Sequence, residues 1–239
     1  SCQIPQPNVL SPLQKMSVET QQDAFLCVVE PREDNGSNIK VMNLKNRMIR
    51  SVYLPGRVLS MDGNQNSGKL YLSVRSGSQN PRYDLYELDV ARLTLARPAS
   101  FSQAGIKPLD FEMQNEQVYV SGQRSGVGSL LMHDLGQGGW KQIVSNFPAG
   151  YLEWSKNLNQ VQSLSFDDDR ITRTTIDVKQ QRIIRTQSFE HGVPFGNNIG
   201  LAAPNGDYFY ALHQLKGLVA LYAFDVNNAT VNRDVATIE

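Results

Sequence analysis

Carboxylates recur in short apolar runs of this sequence, and they are the residues best suited to chemistry. The set consists of Glu19, Asp62, Asp110, Glu112 and Glu153. Two carboxyl groups that flank a glycosidic bond can cleave it when one is kept protonated and the other is ionised. Such chemistry requires a fold that gathers distant parts of the chain, so the elements that carry these residues must be identified first.

Other ligand-forming residues give weaker patterns. Three adjacent carboxylates, 167–169, could supply oxygen ligands to Ca²⁺. On an extended chain their side chains point in different directions, so we interpret them as a solvated hairpin tip. His133, His191 and His213 lack the spacing of zinc ligands. We therefore expect no metal and no cofactor.

The overall charge argues against a polyanionic partner. Lys plus Arg and Asp plus Glu both number 23, so the formal net charge is zero and the pI is about 6.8. Nucleic-acid binding requires a concentrated basic face, and no run of Lys or Arg is present. No stretch approaches the roughly 20 apolar residues of a membrane-spanning helix. We expect no nucleic-acid partner and no spanning segment.

A five-fold internal repeat organises the chain. Its marker is an Asp or Asn beside an apolar residue at the end of a strand-like run, at Asn43, Asp89, Asp134, Asp177 and Asp225. These positions are 46, 45, 43 and 48 residues apart. An Asx side chain at a strand end can accept hydrogen bonds from main-chain amides two residues further on. The repeat therefore predicts a turn at each marker.

One complete repeat lies between Arg57 and Phe101. It holds four runs of alternating apolar and polar residues, separated by Gly, Asn, Ser and Pro, with the fourth run at 92–96. This pattern predicts a four-stranded antiparallel meander. Because such a meander cannot bury both its faces alone, each unit needs neighbouring units.

The repeat resembles that of β-propellers, whose blades are four-stranded meanders of about this length. The resemblance implies an all-β, five-bladed β-propeller over residues 12–239, preceded by an extended tether at 1–11. It lies in the fold alone, because the Trp-Asp pair of WD repeats and the glycine doublet of kelch repeats are missing. A solenoid or a β-sandwich is the alternative, but a sandwich gives no reason for a constant Asx period.

Five-bladed arabinanases and invertases use three carboxylates on inner strands. By this resemblance Asp62 would be the base or nucleophile, Asp110 a modulator and Glu153 the acid. The flanking motifs and long substrate-shaping loops of those enzymes are not found here. We therefore expect a protein that is not an enzyme, with carbohydrate binding or glycoside cleavage as the alternative function.

The start of the sequence resembles that of a mature bacterial lipoprotein. A small residue precedes Cys2, and a polar segment with Pro5 and Pro7 follows it. The resemblance implies lipidation of Cys2 and attachment to a membrane through acyl chains. Two alternatives remain: an incidental Cys2 beside an expression scar, and a disulfide with Cys27 in an oxidising compartment. Cys27 lies in an apolar run and is expected to be a buried thiol.

Aromatic and arginine residues at turns are the types that anchor protein interfaces. The candidate binding residues are Tyr151, Trp154, Phe195, Arg75 and Arg124, and packing between sheets is the alternative role of Trp154. We expect a binding or scaffolding module of a bacterial envelope assembly, located outside the cytoplasm in the periplasm or at the outer membrane. Its expected partner is another protein.

Overall fold

The computed structural model describes residues 14–20, 22–64, 67–155, 159–167, 170–190, 198–205, 208–215, 218–225 and 230–238. The described chain is all-β, as predicted, and its strands form four-stranded antiparallel sheets. In none of these residues does a helix occur that could cross a membrane.

Each of the first three sheets is a meander of strands that follow one another in the sequence. Sheet 1 contains β1 Gln14–Glu19, β2 Ala24–Pro31, β3 Ser37–Asn43 and β4 Ile49–Leu54. Sheet 2 contains β5 Arg57–Asn64, β6 Lys69–Ser76, β7 Arg82–Asp89 and β8 Thr94–Ser100. Sheet 3 contains β9 Ile106–Gln114, β10 Gln117–Arg124, β11 Val127–Asp134 and β12 Trp140–Ser145.

The same order continues in the remaining sheets. Sheet 4 contains β13 Tyr151–Trp154, β14 Gln160–Phe166, β15 Arg170–Asp177 and β16 Arg182–Glu190. Sheet 5 contains β17 Asn198–Asn205, β18 Tyr208–Leu215, β19 Leu218–Asp225 and β20 Thr230–Ile238. The chain divides into two compact units. The larger comprises Gln14–Ser165 and Thr174–Thr186, and the smaller includes Phe166–Arg173 and sheet 5.

Asx side chains start the turns that follow the third strands, as the repeat predicted. Asp89 Oδ1 accepts hydrogen bonds from the amides of Ala91 and Arg92 at 3.1 and 2.9 Å. Equivalent bonds are made by Asn43, Asp134 and Asp177. The side chain of Asp225 lies outside the described residues. The turn also explains why β8 begins at Thr94 and not at Arg92: Leu93, at φ 57°, is still part of it.

Successive sheets of the larger unit bury apolar faces against one another. In β6, Leu70, Leu72 and Val74 belong to a buried cluster shared with sheet 1. Tyr71, on the opposite face of the same strand, belongs to a cluster shared with sheet 3. A third cluster joins sheets 3 and 4. Because side chains alternate between the two faces of a strand, each middle sheet supplies both of its neighbours with apolar surface.

Candidate functional site

The sequence-predicted carboxylates occupy three neighbouring strands, each the first strand of its sheet. Asp62 lies on β5, Asp110 and Glu112 on β9, and Glu153 on β13. β9 lies between β5 and β13, so the fold brings these residues together across three sheets. All four side chains are half-buried, whereas Glu19, on β1, is exposed.

Each aspartate accepts a hydrogen bond from the main chain of the next sheet. Asp62 Oδ2 accepts from the Met113 amide at 2.6 Å, and Asp110 Oδ2 accepts from the Leu152 amide at 2.8 Å. Asp62 Oδ1 also accepts from the Gly63 amide at 2.9 Å. These bonds connect first strands that belong to different sheets. The two aspartates therefore satisfy main-chain donors that strand pairing leaves open.

The carboxyl groups do not share one protonation state. Burial, followed by the charges of Asp62 and Asp110, raises the pKa of Glu112 far above its usual value. Glu112 is therefore protonated at neutral pH and donates a hydrogen bond to the Asp62 carboxylate. Burial also raises the pKa of Asp62, although the hydrogen bonds from Met113, Glu112 and Gly63 oppose this effect. Burial raises the pKa of Asp110 to about 7.

This arrangement combines a chemical opportunity with a constraint. A protonated carboxyl beside an ionised one is the pairing that acid and base catalysis uses. Both oxygens of Asp62, however, accept main-chain hydrogen bonds, and a nucleophile or base would have to release at least one of them. Glu153 contributes a nearby negative charge that helps to raise the pKa of Glu112. Within the described ranges, no group of three or more potential ligands is placed to hold a metal ion.

The two aromatic candidates on β13 lie in different surroundings. The Tyr151 side chain is 39% exposed. Its remaining burial, followed by the charge of Asp110, raises the pKa of its hydroxyl. Trp154 packs edge-on against Tyr119, with the ring centroids 4.8 Å apart, as part of the cluster between sheets 3 and 4. Its indole N–H has no hydrogen-bond partner among the described residues. Tyr151 is thus accessible at the carboxyl cluster. Trp154 packs between sheets, which was the alternative to a binding role.

The arginine candidates lie near the ends of the second strands of sheets 2 and 3. Arg75 is exposed and is paired in register with Arg57 of β5. Arg124 Nη1 donates a hydrogen bond to Gln142 Oε1 at 3.0 Å. Phe195 and Cys2 lie outside the described residues. Cys27 is a buried free thiol, as expected, and burial raises its pKa to about 12.

The remaining candidates do not join the carboxyl cluster. His133 is buried and packs edge-on against Trp140, with the ring centroids 4.8 Å apart, and burial lowers its pKa. Asp167 is described at the turn between β14 and β15, but Asp168 and Asp169 are outside the described residues, as is His191. Only the main chain of His213, in β18, is described.

An apolar surface lies at the outer edge of sheet 1 and was not predicted from the sequence. It consists of Leu44, Met48, Ile49 and Tyr53, whose exposed fractions are 46, 58, 59 and 49%. We call these residues and strand β4 the sheet 1 edge. β4 is the last strand of its sheet, so one of its sides is not paired within the sheet. Adjacent apolar residues such as Met48 and Ile49 at a strand start could have indicated an accessible edge.

The outer strands of other sheets carry features that blunt their edges. The pairing of β8 with β7 has a register irregularity between Leu85 and Glu87, and β8 contains Pro98. The pairing of β12 with β11 is irregular between Leu130 and Leu131. Proteins use bulges and proline in this way to prevent edge-to-edge association. The register of β4 with β3 is unbroken from Ile49 to Leu54, so the sheet 1 edge lacks both protections.

The comparisons with known proteins identify the fold alone. No family model matches the chain, and no curated protein matches it. Three solved structures are similar: a nidogen/laminin complex (8% identity, TM-score 0.61, 95% of this chain and 79% of that chain), TolB from Acinetobacter baumannii (11%, 0.56, 87% and 50%) and a functionally unknown protein from Desulfotomaculum acetoxidans (16%, 0.60, 90% and 69%). This chain therefore covers only half of the TolB chain. The nidogen and TolB neighbours have propeller-type folds, so the predicted propeller-like class is supported.

Proposed function

We propose that this protein is a non-catalytic, protein-binding β-propeller of the bacterial cell envelope. In this proposal residues 12–239 form one domain of five blades, residues 1–11 form a tether, and Cys2 carries lipid. Stacking of successive sheets through both faces supports the propeller arrangement, because every blade of a propeller is covered by its neighbours. The residues around Cys2, which resemble those of a lipoprotein, and the likeness to TolB support the proposed periplasmic setting.

The sheet 1 edge is the observation that carries the binding role. In an edge strand, alternate residues direct main-chain N–H and C=O groups away from the sheet, where another strand can pair with them. Ile49 and Tyr53 add exposed apolar surface beside these groups. An extended peptide that adds to a sheet edge gains affinity from main-chain hydrogen bonds and specificity from side-chain contacts. The partner we propose is an extended segment of another envelope protein.

Ile49→Lys is the variant that tests this docking surface. A charged side chain at the centre of an edge opposes strand addition, because it would have to lose water on binding. Ile184→Lys is the matched control, since Ile184 is also an exposed isoleucine, at 46%, on the outer strand of sheet 4. We expect wild type and Ile184→Lys to retain the same protein from an envelope extract, and Ile49→Lys to lose it.

Two results would contradict the docking surface. One is retention of the same proteins by Ile49→Lys and by wild type. The other is dimerisation of the purified protein that Ile49→Lys abolishes, since this would identify a second copy as the occupant. Sedimentation equilibrium of the wild type and of Ile49→Lys distinguishes a dimer from a monomer.

Glycoside cleavage is the second candidate function, because a protonated Glu112 lies near Asp62 and Glu153. The two carboxyl groups of a glycosidase flank the scissile bond about 5 to 9.5 Å apart. Glu112 instead donates directly to Asp62, so this pair would have to separate before it could act on a sugar. We expect the wild type not to turn over an arabinan or fructan substrate, because both oxygens of Asp62 already accept main-chain hydrogen bonds. If the wild type does turn one over, Asp62→Ala and Glu153→Ala should each abolish the activity.

Lipidation is tested separately by Cys2→Ser in the bacterial host. The wild-type chain should incorporate labelled palmitate and sediment with membranes, and the variant should do neither. Equal fractionation of the two chains, with no label in either, would remove the anchor from the proposal and leave the docking surface unaffected.

A further inference from the structure

A groove of about 630 Å³ continues from the end of β4 to the tip of sheet 2. Its lining includes Tyr53 of β4 and the following Pro55, Arg57 of β5, Arg75 and Ser76 at the end of β6, and Ser78 in the turn after β6. Because Tyr53 belongs to both surfaces, the groove is continuous with the sheet 1 edge. A peptide strand paired with β4 could extend a side chain into it.

Arg57 and Arg75 are directly opposite each other in the pairing of β5 with β6. Like charges at such positions destabilise a sheet. Neither arginine has a carboxylate within salt-bridge distance among the described residues. Other cations on these sheets do have one: Lys40 contacts Glu30 at 2.7 Å, and Lys69 contacts Glu87 at 3.0 Å. The free protein therefore keeps an uncompensated cationic pair at the groove.

A carboxylate placed between two guanidinium groups would remove this repulsion and accept several charge-assisted hydrogen bonds. The acidic residue among the lining residues does not serve this purpose. Asp34, also in the lining, is engaged by Arg32 at 3.2 Å and by the Gly36 amide at 3.0 Å. The position between Arg57 and Arg75 is therefore available to the carboxylate of a ligand.

We propose that this groove binds an acidic side chain of an extended peptide, with Arg57 and Arg75 holding its carboxylate. The inference rests on the proposed function, since the peptide is the segment that pairs with β4. It adds the chemical class of the partner: an extended segment with Asp or Glu at the position that reaches the groove.

The test uses a synthetic hexapeptide of alternating Glu and Val and its counterpart with Gln in place of Glu. Binding is followed through the amide NMR signals of Gly56 and Gly77, which line the groove. The Glu peptide should bind at least tenfold more tightly than the Gln peptide. Arg57→Gln and Arg75→Gln should each remove this preference. Arg92→Gln is the matched control, because Arg92 is an exposed arginine of sheet 2 that is not in the lining, and this variant should keep it.

Equal binding of the two peptides, or no response of the groove amides to either, would overturn the inference. An equal loss in Arg92→Gln would also overturn it, since the effect would then come from overall charge. If inorganic phosphate bound more tightly than the Glu peptide, the ligand of the groove would be a phosphorylated molecule and the acidic-peptide inference would be wrong. Failure of the docking surface is recognised separately, because it concerns retention of an envelope protein and its loss in Ile49→Lys.

Discussion

Asp62, on the first strand of sheet 2, and Ile49, on the last strand of sheet 1, differ in whether the folded chain supplies partners for their side chains. The Asp62 carboxylate accepts hydrogen bonds from Gly63 and Met113, the latter on a neighbouring sheet. Ile49 is 59% exposed on a strand that pairs on one side. The polar residue thus contributes to stability, and the apolar residue is available for binding. Residue type alone suggests the opposite assignment, because carboxylates suggest catalysis and isoleucine suggests a core.

Asp62→Ala gives the largest expected change in stability. The substitution leaves the Met113 amide and the Glu112 hydroxyl without their acceptor in a half-buried place. We expect the free energy of unfolding to fall by about 3 kcal/mol, since each lost partner of this kind costs about 1 to 3 kcal/mol. Urea denaturation measures the change. Asp62→Asn, which keeps an acceptor oxygen, is the control and should lose less. An Ala variant as stable as wild type would show that Asp62 does not link the sheets.

The pH dependence of stability should be the next largest effect. The folded-state pKa of Asp110 is about 7, above its ordinary value near 4, so its contribution is complete below pH 4 and is lost as the pH rises through 7. The full shift corresponds to about 4 kcal/mol, and access of solvent should reduce this to about 2 kcal/mol.

Asp110→Asn isolates this contribution. The amide oxygen can still accept the hydrogen bond from Leu152, but the side chain does not titrate. The free energy of unfolding of the variant should therefore fall less between pH 5 and pH 8 than that of wild type. Parallel curves for the two proteins would assign the pH dependence to other groups. Glu112, whose pKa is raised from its ordinary value near 4.5 to about 10, should add to both proteins a loss that begins near its ordinary value and continues as the pH rises through 10.

Much of the fold could be predicted from the sequence because it depends on local chemistry. The Asx residues at Asn43, Asp89 and Asp134 form the turns that their spacing predicted. The convergence of Asp62, Asp110 and Glu153 also followed from the repeat. The acceptor roles of the aspartates could not be predicted, because they depend on the offset between first strands. The sheet 1 edge was missed because alternation in β4 resembles that of the other fourth runs, whereas exposure depends on neighbouring elements.

Asp134 should show a pH dependence opposite in sign to that of Asp110. Hydrogen bonds from the amides of Gln137 and Gly136 lower its pKa, so its contribution is present above its ordinary value and is lost as the pH falls below it. Asp134→Ala should reduce stability at pH 7 by less than Asp62→Ala does. At acid pH the difference in stability between Asp134→Ala and wild type should disappear. Urea midpoints at pH 7 and pH 3 provide the measurement. A deficit that is larger at pH 3 would contradict the turn role.

Ile49→Lys should give the smallest change in stability and so complete the contrast with Asp62. An exposed edge residue contributes little to the folded state, and we expect the free energy of unfolding to change by less than about 0.5 kcal/mol. Retention of the partner should nevertheless be lost, whereas Asp62→Ala should keep it under conditions where the variant is folded. Measuring both properties in both variants separates the two regions. If Asp62→Ala lost the partner while folded and Ile49→Lys kept it, binding would belong to the carboxyl cluster and the enzyme-like alternative would gain the support that the sheet 1 edge now has.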